Sequence, residues 1–405
     1  MMQTMNVTTT LTETCFDKVA QQLKEATQRA HDVTDTIEEI MCMIEKMDGD
    51  GGSAAAAAAA ATTSMKRSLD SAIELLGSRQ DIVYTSTSTS TQKWTMAVFD
   101  GHGRDFYHLN DQPKGNNIIL KYLYSLIESK EIDDFLAKDF FSEQDNPAVS
   151  LQKYLAEKCR ENNFNALDSG ATMVVATAEH IGSEIHVNIL SVGDSQCIVH
   201  CNGELVYETV PHSPDNPDEI DRLRRENRLM NPDKPTHPAI GFDLLAETII
   251  CGKWGKYVDF KTGDRNHQLS LAPTQNLGHL ERIDKNQIYD DKGNCGLAPC
   301  VKQLIFSETD EINIKLFSDG VSDVVNGKIV ASDAEFLKTS DAKETVERAC
   351  RRWKQNWKEC GRFEYEKSVR FGTPLESIFY NFGKTADDVS CASWTQTRID
   401  TEEKE

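Results

Sequence analysis

The chain has 405 residues, of which 39% are hydrophobic and 23 are glycine, enough for a sizeable folded core and too many for a wholly disordered polymer. Lys and Arg number 44 against 65 Asp and Glu, a formal net charge of -21, which argues against a nucleic-acid-coating role, since such surfaces need local positive potential. No stretch reaches the roughly 18 to 20 continuous apolar residues of a membrane span, and the first residues have no basic flank before an apolar block; the expectation is an unsecreted intracellular protein, cytoplasmic or nuclear, with neither a membrane nor a nucleic-acid partner.

In chain order, residues 16–47 come first. Phe16, Val19, Leu23, Ala26, Ala30, Val33, Ile37, Ile40, Ile44 and Met47 follow alternating steps of three and four, with charged residues between them and no Pro or Gly before Gly49. The spacing predicts one long amphipathic, coiled-coil-like helix within residues 1–50. Its seam has to be covered by a second copy, by a helical partner or by the chain's own globular part, and the sequence leaves these open. Residues 51–65, with eight alanines from Ala54 to Ala61, read as a Gly/Ala linker.

A globular domain is expected over residues 66–400. Strand-like runs occur at 94–100, 171–179, 185–194, 196–208 and 312–320, and helices are expected over 114–130, 148–166, 217–228 and 341–360. The runs at 171–178, 185–192 and 197–208 follow one another without a helix and so read as antiparallel hairpins. That makes the fold class α+β, not a doubly wound parallel sheet. Residues 229–268 look the least regular, and an irregular segment of that length inside a domain is more often functional than idle. The run from Arg351 to Lys384 reads either as an insertion that binds a partner or as a helix packing Trp353 and Trp357 inward; the second is preferred. Eleven cysteines is an odd count without a complete zinc pattern, so they are read as reduced thiols.

Several strand-like runs end in an acid beside glycine or within a short acidic turn: Asp100 with Gly101, Asp194 after Gly193, and Asp319 and Asp323 around Gly320. An acid is poor inside a strand, but at its end the apolar run is a rigid mount and the glycine permits close approach. Converging carboxylates repel unless a cation lies between them, and hard oxygen ligands select Mg²⁺ or Mn²⁺. For any single Asp-Gly the alternative is a plain turn.

Taken together, VFDGHG (98–103), DSGATMVVA (168–176), LSVGDSQCIVHCNGELV (190–206), PHSPDNPDEIDRL (211–223), LAPTQNLG (271–278), SDGVSDVV (318–325) and ADDVSCASW (386–394) resemble the metal-dependent protein phosphatases, the PPM-type or type two C serine/threonine class, over about residues 78–395. The resemblance implies two antiparallel β-sheets packed as a sandwich flanked by helices (α-β-β-α), with a pair of Mg²⁺ or Mn²⁺ ions in a cleft at one end. It implies that Asp100 bridges the ions, that the Gly101 carbonyl, Asp319 and Asp387 complete the pair, and that Asp81 reaches a metal through water. Asp194 and Asp323, with Asp319, resemble a weaker third site. His102 resembles the histidine that protonates the leaving alkoxide; an exposed turn histidine is the alternative.

The activity implied is hydrolysis of phosphoserine and phosphothreonine in proteins by a metal-bridging hydroxide. A pseudophosphatase that keeps the fold as a binding or scaffolding module is the competing class, and a phosphatase of small phosphate esters is a third. The match departs from the family upstream of Asp81, where Leu76 stands at the place of the usual phosphate-gripping arginine. Arg79 is the nearest replacement, or else an ordinary surface arginine. Pro211, Pro273, Asn276 and His279 also replace more typical residues, which puts substrate specificity in doubt more than chemistry.

Overall fold

The computed structural model describes residues 65–76, 79–103, 117–263, 268–284, 286–361, 367, 370, 378–380 and 386–398. The expected helix at 16–47 and the linker up to residue 64 lie outside them. The first half of the domain comprises β1 (Met65–Glu74), β2 (Asp81–Ser88), β3 (Lys93–Gly103), α1 (Ile118–Glu128), α2 (Ile132–Leu136), α3 (Pro147–Glu161), β4 (Ala166–Ala171), β5 (Met173–Ile181), β6 (Glu184–Val192), β7 (Gln196–Cys201), β8 (Glu204–Glu208) and α4 (Pro217–Arg225). The second half comprises β9 (Thr236–Asp243), β10 (Thr248–Phe260), β11 (Leu269–Leu271), β12 (Leu277–Leu280), β13 (Arg282–Asp284), β14 (Gln287–Ile288), β15 (Cys300–Ser307), β16 (Ile312–Phe317), α5 (Asp319–Ser322), α6 (Ala331–Thr339), α7 (Ala342–Lys354), β17 (Trp357–Gly361), β18 (Ile378–Tyr380) and β19 (Val389–Arg398).

The α+β class and the antiparallel hairpins β5–β6 and β7–β8 are as expected. One sheet has the order β1-β19-β16-β7-β8, and a seven-stranded one has β12-β4-β3-β5-β6-β15 with β2 also on β3. Between them lies a core that includes Met96, Val98, Val174, Ala176 and Ile189 from the larger sheet and Val199, Ile314, Leu316 and Trp394 from the other. The alternate residues Ala97, Phe99 and Val175 point the opposite way, into a second core with Leu123 and Leu126 of α1 and Leu151 and Leu155 of α3. Being covered on both faces is why these strands read as unbroken apolar runs. On the far side, Phe317, Val389 and Cys391 pack with Val346, Ala349 and Trp353 of α7.

The strands do not, however, resolve into two sheets. A further sheet runs β11-β10-β17-β18 with β9 on β10, and β13 pairs with β14. Residues 229–268, expected to be irregular, in fact hold the long β9–β10 hairpin. Pro238 sits in β9, whose only strand partner in the described residues is β10; an edge strand tolerates the missing N–H. β10 also pairs in parallel with β17, an exception to the antiparallel rule. The helix expected to run to 360 stops at Lys354. Trp353 and Trp357 are both buried, as preferred, but Trp357 does so from a strand, where its Nε1 donates to Arg352 O at 2.8 Å, a helix-end carbonyl that also accepts from Gln355 N at 3.2 Å.

Helix starts are chemically marked. Asn146 and Asn216 cap α3 and α4, each followed by proline at the first helical position. Asp341 and Glu344 form a capping box on α7. Among the described residues no helix is long and apolar enough to cross a membrane.

One buried carboxylate ties α6 to α7. Asp333 is fully buried, contacts Arg348 Nη2 at 2.6 Å and Arg352 Nη1 at 2.5 Å, and accepts from Asn326 N at 3.1 Å. Asp333→Ala takes the carboxylate from both guanidiniums, of which Arg352 keeps Val324 O, and from one main-chain N–H. Because each arginine still reaches water, the expected loss is about 3 kcal/mol, the low end for a broken buried pair. Urea denaturation checks this; a variant within about 1 kcal/mol of wild type would show the cluster to be dispensable.

Candidate active site

The site is built at one end of the two large sheets, where strands terminate in acids. β3 is buried from Thr95 to Gly101, and Asp100 stands directly opposite Asp81 in the β2–β3 register. Like charges facing across strands are unfavourable, so this pairing has to be compensated by something else. The ladder is interrupted at Thr172, between β4 and β5. Its N–H donates to Asp100 O at 2.8 Å, its hydroxyl accepts from Asp100 N at 3.4 Å, and the same hydroxyl lies 2.6 Å from Ser195 Oγ.

Asp194 follows Gly193, whose φ of 97° makes the turn after β6. Asp319 opens α5 immediately after β16, Asp323 caps its end, and Asp387 leads into β19. The ends of β16 and β19 are locked by Ser318 N donating to Ser390 O (3.2 Å) and Ser390 N donating to Ser318 Oγ (3.1 Å). Thus acids from five separated stretches meet. Asp100, Asp194, Asp319 and Asp387 line one cleft with Gly101 and His102.

The electrostatics record how close they are. Burial, the largest cause in every case, pushes Asp81, Asp194 and Asp319 up to about 7 from the usual carboxylate range. Asp387 and Asp388 push Asp81 further, Asp387 does so for Asp194, and Asp194 and Asp81 for Asp319. Asp100 is raised well above that range by burial and then by Asp319, Asp81 and Asp387, and Asp387 by burial and Asp319; Asp323 is exposed, in the field of Asp319, Asp387 and Asp194. Burial first and neighbouring acids second thus favour the protonated form of the carboxyls in this cleft. The usual reason for such a set is a cation.

Among the described residues no group of three or more His, Cys, Asp or Glu side chains already stands in the geometry of a metal shell. Two features nevertheless fit the residues to a hard divalent ion. Asp81 Oδ2 is buried with no hydrogen-bond partner, and Asp100, Asp319 and Asp387 line one cleft, where like charges need a cation to share it. An all-oxygen donor set suits Mg²⁺ or Mn²⁺.

The other candidates divide. The ring of His102 is half-buried beside the cleft, lowered well below the ordinary imidazole value by burial and then by His279. Arg79 is exposed with φ 60°, one residue before the cleft residue Gln80, and is not among the side chains lining the cleft. Three further residues are not singled out by the sequence. Asn117 caps α1 through Oδ1 while its Nδ2 donates to His102 O (3.0 Å) and Gly170 O (2.8 Å), fastening the helix to the acid-bearing strand end. The only signal for it was an Asn ahead of an apolar periodic run. Glu219 and Arg222, a buried pair in α4, hold Thr274 and Gln275 just beyond the cleft-lining residues 271–273.

A family model described as Protein phosphatase 2C matches residues 59–356. Protein phosphatase 2C 3 of Arabidopsis thaliana is 25% identical over 165 residues, 39% of this chain and 35% of that protein. Probable protein phosphatase 2C 78 of the same plant is 25% identical over 165 residues, 39% of this chain and 37% of that protein. The match thus spans little more than a third of the length of these relatives. Among solved structures, the serine/threonine phosphatase PstP/Ppp of Mycobacterium tuberculosis superposes with a TM-score of 0.40 at 15% identity, covering 82% of this chain and 98% of that one. For the serine-threonine phosphatase 2C of Toxoplasma gondii the TM-score is 0.41 at 17% identity, with 83% and 100% covered.

Proposed function

Because this chain belongs to the protein phosphatase 2C family, we propose that it is a metal-dependent phosphatase of phosphoserine and phosphothreonine in proteins. The observation that carries the reading is the convergence of acids at the end of the sheets: Asp81 and Asp100 buried opposite each other, with Asp194, Asp319 and Asp387 lining the cleft beside Asp100. In this reading Asp100, Asp319, Asp387 and the Gly101 carbonyl hold a pair of Mg²⁺ or Mn²⁺ ions, Asp81 supports them through water, and Asp194 and Asp323 serve a weaker third site. Such ions, when bound, lower the pKa of a water from about 15.7 toward 7 and draw charge from phosphoryl oxygens.

The rest falls to the protein. Glycine at 101 lets Gln80 O accept its N–H at 3.0 Å, which brings the two strand ends together. Thr172 and Asn117 fix the main chain on either side of Asp100 and His102, so the acids need little reorganisation. His102 supplies a proton to the departing serine or threonine oxygen, a poor leaving group, for roughly 10² to 10⁴ in rate. Arg79, exposed beside Gln80, is the cation that reaches a substrate phosphate. The phosphatase domain occupies about residues 66–400, and residues 16–47 are an appendage for self-association or for a helical partner.

The test is hydrolysis of a phosphothreonine peptide by the full chain with Mn²⁺, with Mg²⁺ and with excess chelator. Turnover with either ion that chelator abolishes is the expected result. Turnover indifferent to chelator removes the metal from the reading. No turnover with either ion, alongside a melting temperature that Mn²⁺ still raises, would instead support a module that binds without hydrolysing.

A further inference from the structure

We infer that His279 is a positioning residue for His102, fixing which of its ring nitrogens carries the hydrogen. Nε2 of His102 lies 2.9 Å from Nε2 of His279, with the two rings 25° from parallel. The second nitrogen of His279, Nδ1, is 2.7 Å from Leu167 O. A carbonyl oxygen only accepts, so Nδ1 of His279 must carry a hydrogen. His279 is wholly buried and stays neutral, burial pushing it down to about 4. A neutral imidazole has one N–H, so its Nε2 presents a lone pair. His102 Nε2 must then be the donor. A main-chain carbonyl in β4 thus sets the tautomer of a histidine at the cleft.

The surroundings are shaped for this contact. Gly170 stands opposite His102 in the β3–β4 register, and a Cβ there would fall 2.2 Å from His279 Nε2 and 3.0 Å from His102 Nε2. Any larger residue would push the rings apart. His279 has φ of 47°, a conformation a non-glycine side chain rarely takes, and its carbonyl accepts from Asn294 N at 3.0 Å. The neighbouring Gly278 is gripped by Gln152, which accepts its N–H at 2.7 Å and donates to its carbonyl at 3.2 Å. His279 itself does not line the cleft, so whatever it does to a substrate it does through His102. With its Nε2–H given to His279, His102 can pass a proton to the departing oxygen only from Nδ1 of its protonated ring, which returns to the neutral Nε2–H form, and the contact with His279 holds that nitrogen in one orientation.

This rests on the reading that His102 protonates the leaving oxygen, and two readouts separate the contact from that reading. The first is long-range ¹⁵N–¹H correlation on the histidine-labelled full chain. Wild type is expected to show His102 as the Nε2–H tautomer and His279 as the Nδ1–H tautomer, and in His279→Ala the His102 signals should move to a mixed population. The second is a comparison of leaving groups with Mn²⁺ present. In His279→Ala, kcat for a phosphothreonine peptide should fall about 10-fold or more, part of the range a general acid contributes. For p-nitrophenyl phosphate, whose leaving group departs without protonation, the loss should stay under about 3-fold.

His279→Gln, whose side-chain oxygen still accepts from His102, should recover most of the peptide rate, and it covers the case in which the alanine variant folds poorly. Equal losses on both esters would mean His279 only supports the fold, and His102 found with its hydrogen on Nδ1 in wild type would overturn the assignment outright. If wild type hydrolyses neither ester, the functional reading fails, while the tautomer measurement still decides the contact.

Discussion

Asp100→Asn is expected to lose phosphatase activity by at least about 10³-fold, the scale of deleting a group that organises transition-state charge, and at the same time to melt higher than wild type in the absence of metal. Both follow from one arrangement. Asp100 faces Asp81 across the β2–β3 ladder and is pushed up by burial and by Asp319, Asp81 and Asp387. Without a cation, this crowd either keeps protons that the unfolded chain has given up or suffers its own repulsion. Asparagine keeps the shape, removes one acid, and relieves its neighbours.

The sign can be worked out from Asp81, Asp194 and Asp319, each raised to about 7 in the fold from 3.8. A carboxyl raised on folding contributes stability that is fully present below about pH 4, where both states are protonated, and lost as pH climbs through about 7. The metal-free wild type should therefore lose melting temperature across that window, and Asp100→Asn should lose less. Mn²⁺ reverses the trend in wild type by binding only the folded state, worth about 2.7 kcal/mol at a hundredfold excess over Kd. The variant should show little of that gain. Scanning calorimetry from pH 4 to 8 with and without Mn²⁺ measures all of this; a variant that keeps the full Mn²⁺ shift, or more than about a tenth of the rate, would remove Asp100 from the centre of the site.

The contrast between Asp100 and His279 shows what a sequence carries and what it does not. Asp100 stands at the end of an apolar run beside glycine, and Asp194 and Asp319 repeat that pattern; Asp81 and Asp387 stand at strand starts, where only the family resemblance points to them. His279 lies in a segment whose only oddity was that it departed from the usual residues, and its partner is 177 positions away. Its meaning depends on a register that brings Gly170 opposite His102, which no local pattern encodes. The layers were legible for the same reason as the acids, since strands buried on both faces write themselves as continuous apolar runs.

The third sheet was not legible. In β9 Pro238 and Gly241, residues that usually mark a loop, are tolerated because only one neighbour needs its N–H groups. The steps from Trp353 to Trp357 mimic a continuing helix. What ends it is tertiary: Trp357 turns to pack on Phe242 of the hairpin, ring centroids 5.5 Å apart, and its indole caps the helix it has left.

Gly320→Ala is expected to cost the site its geometry without touching a single acid. A Cβ on Gly320 would lie 1.9 Å from Asp388 O and 3.4 Å from Asp387 Cβ. The helix that begins with Asp319 and the strand led by Asp387 therefore approach so closely that only glycine fits between them. Neither side is free to retreat. Gly320 O accepts from the buried Trp353 Nε1 at 2.7 Å, the Ser318–Ser390 bonds clamp the strand ends, and Asp388 Oδ2 accepts from Gln80 N at 2.6 Å. The added methyl has to part Asp319 from Asp387 and pull on the segment that enters β2. Overpacking of this kind costs about 1–3 kcal/mol, and a displacement near 1 Å at a reacting centre costs on the order of 10²-fold in rate.

Gly182→Ala is the control. Its φ of +65° strains any side chain, but its Cβ meets nothing within 4 Å, and it lies at the β5–β6 turn away from the acids. It should lose about 1 kcal/mol in urea denaturation and keep its rate. If Gly320→Ala behaves like Gly182→Ala, with wild-type turnover and an undiminished Mn²⁺ response, then the close approach of the two chain segments does not set the spacing of Asp319 and Asp387, and the acids must be held apart by their own side-chain contacts instead.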